Sequence, residues 1–111
     1  MQRQRYKILG CPCVGMRESD AIEQIVSFVR ANKAGYTVAI NAEKIWRYQF
    51  DRELRSVIDK SILPYPDGAG AVLALNWLHD IYSEKVNMPV KALEAADRYA
   101  LKTFIVGANE T

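Results

Sequence analysis

One stretch limits the possible folds more than any other: Ser61-Ile62-Leu63-Pro64-Tyr65, followed by Pro66-Asp67-Gly68-Ala69-Gly70-Ala71-Val72. The apolar run reads as a short buried strand over 61–65. Pro66 stops it, Asp67 sits on a turn, and Gly68 and Gly70 open an apolar helix. Strand, turn and helix in that order, with an ionisable group at the tip, form the unit of an open α/β sheet. In such sheets ligands gather beyond the carboxyl ends of the strands. Asp67 is therefore the first candidate for chemistry. Pro-Asp-Gly is also ordinary turn sequence: Pro presets φ, Asp bonds nearby backbone, and Gly accepts positive φ.

The rest of the chain repeats the alternation. A strand is expected over 6–9, then a turn-rich link over 11–15 with Pro12 and Gly15 as breakers. A helix over 18–32 places Ala21, Ile22, Ile25, Val26, Phe28 and Val29 near a 3.6-residue period. A β-rich run over 36–40 lacks strict alternation, as suits a strand covered on both faces. Helices follow over 42–50 and 52–60, the second capped by Asp51. The helix over 69–81 is apolar on most of its circumference and is expected to be well buried. A short strand around 85–87, a helix over 89–100 with Pro89 in its first turn, and a buried strand over 102–107 complete the series. Residues 108–111 read as a turn into another helix. Strands alternating with helices indicate βαβ units. The expected class is α/β: a Rossmann-like, mostly parallel sheet flanked by helices, in a single domain over 1–111. Because the chain stops soon after its last expected strand, that domain is expected to be incomplete.

Composition excludes several classes. The 111 residues are half hydrophobic and one quarter charged, and the net charge of +2 is too small to argue for nucleic acid. No apolar run reaches the roughly 18 residues of a membrane span, and the basic Arg3, Arg5 and Lys7 are not followed by a signal-peptide core. A cytoplasmic protein is expected, with peripheral contact at the inner face of the membrane left open. Cys11 and Cys13 are separated by one residue, and no second pair accompanies them, so no metal site is expected. They read as reduced, small apolar fillers. His79 reads as a surface helix residue, and Trp46 and Trp77 as core or interface anchors.

Two strand ends carry the chemistry: Ala39-Ile40-Asn41-Ala42-Glu43-Lys44 and Tyr65-Pro66-Asp67-Gly68-Ala69-Gly70. If their strands are parallel neighbours, Asn41 and Asp67 share one rim. Asn41 reads as a helix N-cap, a role compatible with a ligand contact from the same side chain. Together with Ile8-Leu9-Gly10, Asp51-Arg52-Glu53-Leu54-Arg55 and Phe104-Ile105-Val106-Gly107, these runs resemble the WecG/TagA/CpsF glycosyltransferases over nearly the whole chain. That length corresponds to about the first half of a family domain. The chain departs from the pattern at Ala39, where many members carry Thr. It departs again at Lys85-Val86-Asn87-Met88-Pro89-Val90, where members usually carry Arg-Val-x-Gly-x-Asp.

The resemblance implies transfer of N-acetylmannosamine, or its uronic acid, from a UDP-sugar to undecaprenyl-diphosphate-linked N-acetylglucosamine, in bacterial envelope polysaccharide synthesis. It implies inversion at the anomeric carbon without a metal or other cofactor, Asp67 as general base, and donor or acceptor contacts at Asn41, Gly68, Lys85 and Gly107. The partners implied are the sugar nucleotide and a lipid-linked acceptor at the membrane surface; association with further copies of the chain is left open. The alternative is a non-catalytic module of the same fold that binds a sugar nucleotide or another partner. An unrelated nucleotide-binding α/β domain lacks support, since neither a Gly-x-Gly-x-x-Gly run nor a Walker lysine loop occurs.

Overall fold

The structure, a computed structural model, describes residues 4–104. Among the described residues nine elements mix strands and helices. They are β1 (Arg5–Ile8), β2 (Cys11–Val14), α1 (Asp20–Arg30), β3 (Thr37–Ile40), α2 (Ala42–Tyr48), α3 (Arg52–Lys60), β4 (Leu63–Pro66), α4 (Ala69–Leu78) and α5 (Met88–Tyr99), an order in which β1–β2, α2–α3 and α4–α5 follow one another directly. The expected α/β class is the class observed. Its strands form two ladders. β3 and β4 pair in parallel, with Thr37 beside Leu63 and Ile40 beside Pro66. β1 and β2 pair antiparallel, with Arg5 beside Val14 and Ile8 beside Cys11. β2 runs next to β4, which sets the ladders side by side.

The hairpin corrects the turn-rich link expected over 11–15. Leu9 and Gly10 both take positive φ, 49° and 86°, the condition for a tight two-residue turn whose twist matches the strands. Cys11, Pro12, Cys13 and Val14 are all buried, so burial outweighs the breaker signal of Pro12. The thiols point into apolar packing, and loss of hydration pushes Cys11 up to about 11, helped by the Asp59 charge, and Cys13 up to about 12. Such thiols stay protonated and inert at neutral pH.

The strands separate two apolar layers. On one side Val38 and Ile40 join Ile8, Cys11 and Cys13 and pack against Ile45 of α2, Ile58 of α3, and Ala71 and Leu75 of α4. On the other side Ala39, Leu63 and Tyr65 meet Ala21, Ile25 and Phe28 of α1, with Val86 and Met88. Residues one apart in a strand thus feed opposite layers, as the pleat requires. Ile22, Val26 and Ala95 then lock α1 to α5.

Helix starts follow local rules. Asn41 caps α2 through its Oδ1, which accepts the Lys44 N–H at 2.9 Å. Asp51 caps α3 by accepting from the Leu54 N–H at 3.0 Å and also pairs with Arg47 at 2.9 Å. Pro89 stands in the first turn of α5. The burial expected of α4 is corrected: Ala71 and Leu75 are fully buried, but Leu73, Trp77 and Leu78 are exposed, Trp77 by 85%. One face, at i and i+4, meets the hairpin, and the helix ends at Leu78 rather than 81. Trp46 is exposed as well, so neither tryptophan is in the core. His79, at the C-terminus of α4, holds the Lys7 carbonyl through Nε2 at 2.7 Å. No strand forms at 85–87, and Lys102 to Phe104 carry no regular structure. The remainder of the strand expected over 102–107, with Gly107, lies outside the described residues. Among the described residues no helix is long and apolar enough to cross a membrane.

Truncating Leu75, which is fully buried, to Ala should cost about 2–5 kcal/mol in urea unfolding. The Leu54 N–H, followed by Arg47, holds the Asp51 carboxyl below its ordinary 3.8. A group lowered in the folded state stabilises above its unfolded value and loses that contribution as pH falls through its folded value. The stability gap between wild type and Asp51→Asn should therefore be full at neutral pH and close as pH drops below about 3.8, read from unfolding midpoints across a pH series.

Candidate active site

The parallel ladder brings its two carboxyl ends to the same level. Ile40 and Pro66 are partners, so Asn41 and Asp67 are the next residues outward on neighbouring strands. The Asp67 N–H donates to the Ile40 carbonyl at 2.9 Å and ties the two ends together. This is the shared rim anticipated from the sequence, and α2 and α4 both start from it. A Cβ built on Gly68 would lie 3.7 Å from the Asn41 Cβ, and one on Gly70 would lie 3.3 Å from the Ala42 Cβ. Gly68 has φ 152°, a conformation that a side chain rarely adopts. The glycine thus permits the sharp turn that hands the chain from Asp67 to α4.

Asn41 uses its oxygen for the cap. Asp67 is exposed, and no hydrogen bond or ion pair within the described residues occupies its carboxylate. It borders a cleft of about 330 Å³ lined by Glu18, Tyr65, Lys85 and the 86–89 stretch. The structure therefore brings Asp67 and Lys85 into one cleft. Asn41 and Gly68 stand beside it on the rim without lining it, and Gly107 is not among the described residues. The Tyr65 phenol is pushed above its ordinary value, first by burial and then by the negative charge of Asp67.

The far wall of the cleft is a segment without regular structure, held by main-chain bonds. The Glu84 N–H donates to the Met16 carbonyl at 2.9 Å, and the Val86 N–H donates to the Pro66 carbonyl at 2.8 Å. The Ser83 hydroxyl also bonds the Met16 backbone, at 3.1 Å. Lys85 lies between these anchors, so its backbone is fixed while its ammonium stays exposed. The short strand expected at 85–87 is replaced by this single bond to the end of β4.

Tyr65 and Glu18 were not singled out from the sequence. Tyr65 was accessible to reasoning, since it lies two residues before Asp67 and a strand puts i and i+2 on one face. Glu18 comes from the loop before α1, and no spacing links it to Asp67. It reaches the cleft because its N–H donates to Glu84 Oε1 at 2.8 Å, which joins that loop to the 83–87 segment. Among the described residues no group of three or more His, Cys, Asp or Glu side chains is placed to hold a metal ion.

An exposed carboxylate beside a lysine, at the carboxyl end of a parallel strand and the start of a helix, suits a ligand carrying both hydroxyls and phosphate. Comparison with known proteins bears on the chain as a whole. The family model for the glycosyl transferase WecG/TagA/CpsF family matches residues 6–111, a span that includes both strand ends and the whole cleft. Searches among curated proteins and among solved structures found no match. With nearly its whole length matched, the chain belongs to the WecG/TagA/CpsF glycosyltransferases, a family of cell-envelope polysaccharide synthesis.

Proposed function

We propose that the chain takes part in moving N-acetylmannosamine or N-acetylmannosaminuronic acid from a UDP-sugar to undecaprenyl-diphosphate-linked N-acetylglucosamine, with inversion and with Asp67 as general base. The observation that carries the reading is the placement of Asp67: an exposed carboxylate with no protein partner among the described residues, on the rim that Asn41 shares and in the cleft that Lys85 lines. In this reaction the acceptor hydroxyl oxygen bonds to the anomeric carbon from the face opposite the diphosphate. Its proton passes to the Asp67 carboxylate as the bond forms. The bond from the anomeric carbon to the diphosphate oxygen breaks, and the nucleoside diphosphate leaves with the electron pair. The anomeric carbon gains oxocarbenium character between the two. A positioned carboxylate base contributes about 10²–10⁴ in rate.

The leaving diphosphate needs positive charge. Lys85 supplies an ammonium at the cleft, and the backbone N–H groups that open α4 after Gly68 supply dipoles. Gly107 is assigned the same kind of backbone contact. The Asn41 side-chain nitrogen is assigned a sugar hydroxyl or amide, and the cap leaves it available for that role.

Asp67→Asn should keep donor binding and lose about 10²–10⁴ in turnover, measured with a UDP-sugar and the lipid-linked acceptor. Full transfer by this variant would remove Asp67 from the mechanism, and donor binding without turnover in the wild type would favour the non-catalytic module. The two roles of Asn41 separate as well. Asn41→Ala should cost about 1 kcal/mol of stability, whereas Asn41→Ser should restore most of it, because serine also caps. Transfer should fall in both variants, and recovery of activity with the cap in Asn41→Ser would reduce Asn41 to a structural residue.

A further inference from the structure

The cleft beside Asp67 is unevenly charged. Among the described residues that line it are two acids, Glu18 and Asp67, and one lysine, Lys85. Lys91 is close to Glu18, its Nζ 3.4 Å from Oε1, but it also meets Glu94 at 3.2 Å. One lysine thus serves two acids. It is also set back: its side chain is 16% exposed, compared with 44% for that of Glu18. Glu18 is held in this position by its own backbone, whose N–H donates to Glu84. The residue is therefore fixed at its backbone, while its carboxylate, beside Lys91, stays partly exposed.

We propose that Glu18 is a specificity-determining residue of this cleft, accepting hydrogen bonds from the hydroxyls of an uncharged glycosyl group and rejecting one that carries a carboxylate. The inference rests on the cleft being the donor site, and it decides between the two donors named above in favour of the neutral sugar. Hydrogen bonds from hydroxyls to a carboxylate are charge-assisted and stronger than neutral ones. A sugar carboxylate in the same place would face two like charges. The cleft, at about 330 Å³, is near the lower end of ligand-site volumes. A carboxylate on a sugar ring bound there would share the cleft with both acids. Lys85 does not relieve the repulsion, because it is needed by the diphosphate.

The test is titration calorimetry of the full chain with UDP-N-acetylmannosamine and UDP-N-acetylmannosaminuronic acid, for wild type, Glu18→Gln and Lys91→Gln. Wild type should prefer the neutral sugar by about tenfold or more in Kd, the factor that corresponds to about 1.4 kcal/mol. Glu18→Gln should bring the ratio close to one. Lys91→Gln, which leaves Glu18 charged and strips its partner, should widen it. A purely structural Glu18 would weaken both sugars alike and leave the ratio unchanged. A wild-type ratio near one, a ratio unmoved by Glu18→Gln, or a ratio narrowed by Lys91→Gln would overturn the proposal while leaving the donor-site reading in place. Failure of both sugars to bind the wild type would overturn both.

Discussion

The arrangement of this molecule depends on the register of one parallel ladder. Ile40 and Pro66 are partners, and the Asp67 N–H continues the pairing onto the Ile40 carbonyl. From that alignment follow the shared rim, the adjacent starts of α2 and α4, and the placing of Tyr65 and Asp67 on the cleft side of the strand. A slip of one residue would send Leu63 and Tyr65 to the opposite layer and expose Pro64 and Pro66 to the α1 side. Register is strongly determined here because both faces are covered, so every residue of β4 is buried. Only four residues of each strand pair, and packing on both sides, rather than ladder length, keeps the strands in place.

Much of the fold was legible in local signals. Asn41 and Asp51 were readable as helix starts because a short polar side chain before an apolar helix satisfies an otherwise unpaired N–H. Both do so. The helix around Ile25 was readable from periodicity, the one around Ile58 from its cap at Asp51, and the one around Leu75 from an apolar run opened by Gly68 and Gly70. The β2 strand was not. Pro12 and Gly15 are breakers by composition, and Leu9-Gly10 lacks the usual Asn-Gly or Asp-Gly of a tight hairpin. The strand exists because Cys11, Cys13 and Val14 fill the space between β4 and the helices, a tertiary requirement that no local window contains. The exposure of Trp77 was hidden for a related reason: composition says that α4 is apolar, not how many neighbours it has.

The candidate site divides the same way. Asn41 and Asp67 were accessible because each is a polar punctuation at a strand-to-helix junction, and a parallel pairing makes two such junctions neighbours. Lys85 was accessible only through resemblance. Its position is determined by backbone bonds from Glu84 and Val86 that leave no pattern in side-chain identity. Glu18 illustrates the limit of local reading, since the glutamate it meets through its own N–H lies in a distant segment and is itself bonded to Tyr82 at 2.6 Å.

The anchoring of residues 83–87 has a consequence for recognition. A wall bonded at Met16 on one side and at Pro66 on the other does not yield to a ligand without breaking main-chain hydrogen bonds. The conformational entropy of that wall is lost when the chain folds, not when a sugar nucleotide arrives. Recognition here should therefore resemble entry into a preformed slot. Affinity would then respond sharply to the shape and charge of the ligand and only weakly to temperature-dependent ordering of the protein. Variants that loosen the Ser83–Met16 bonds would weaken binding while leaving every lining side chain in place.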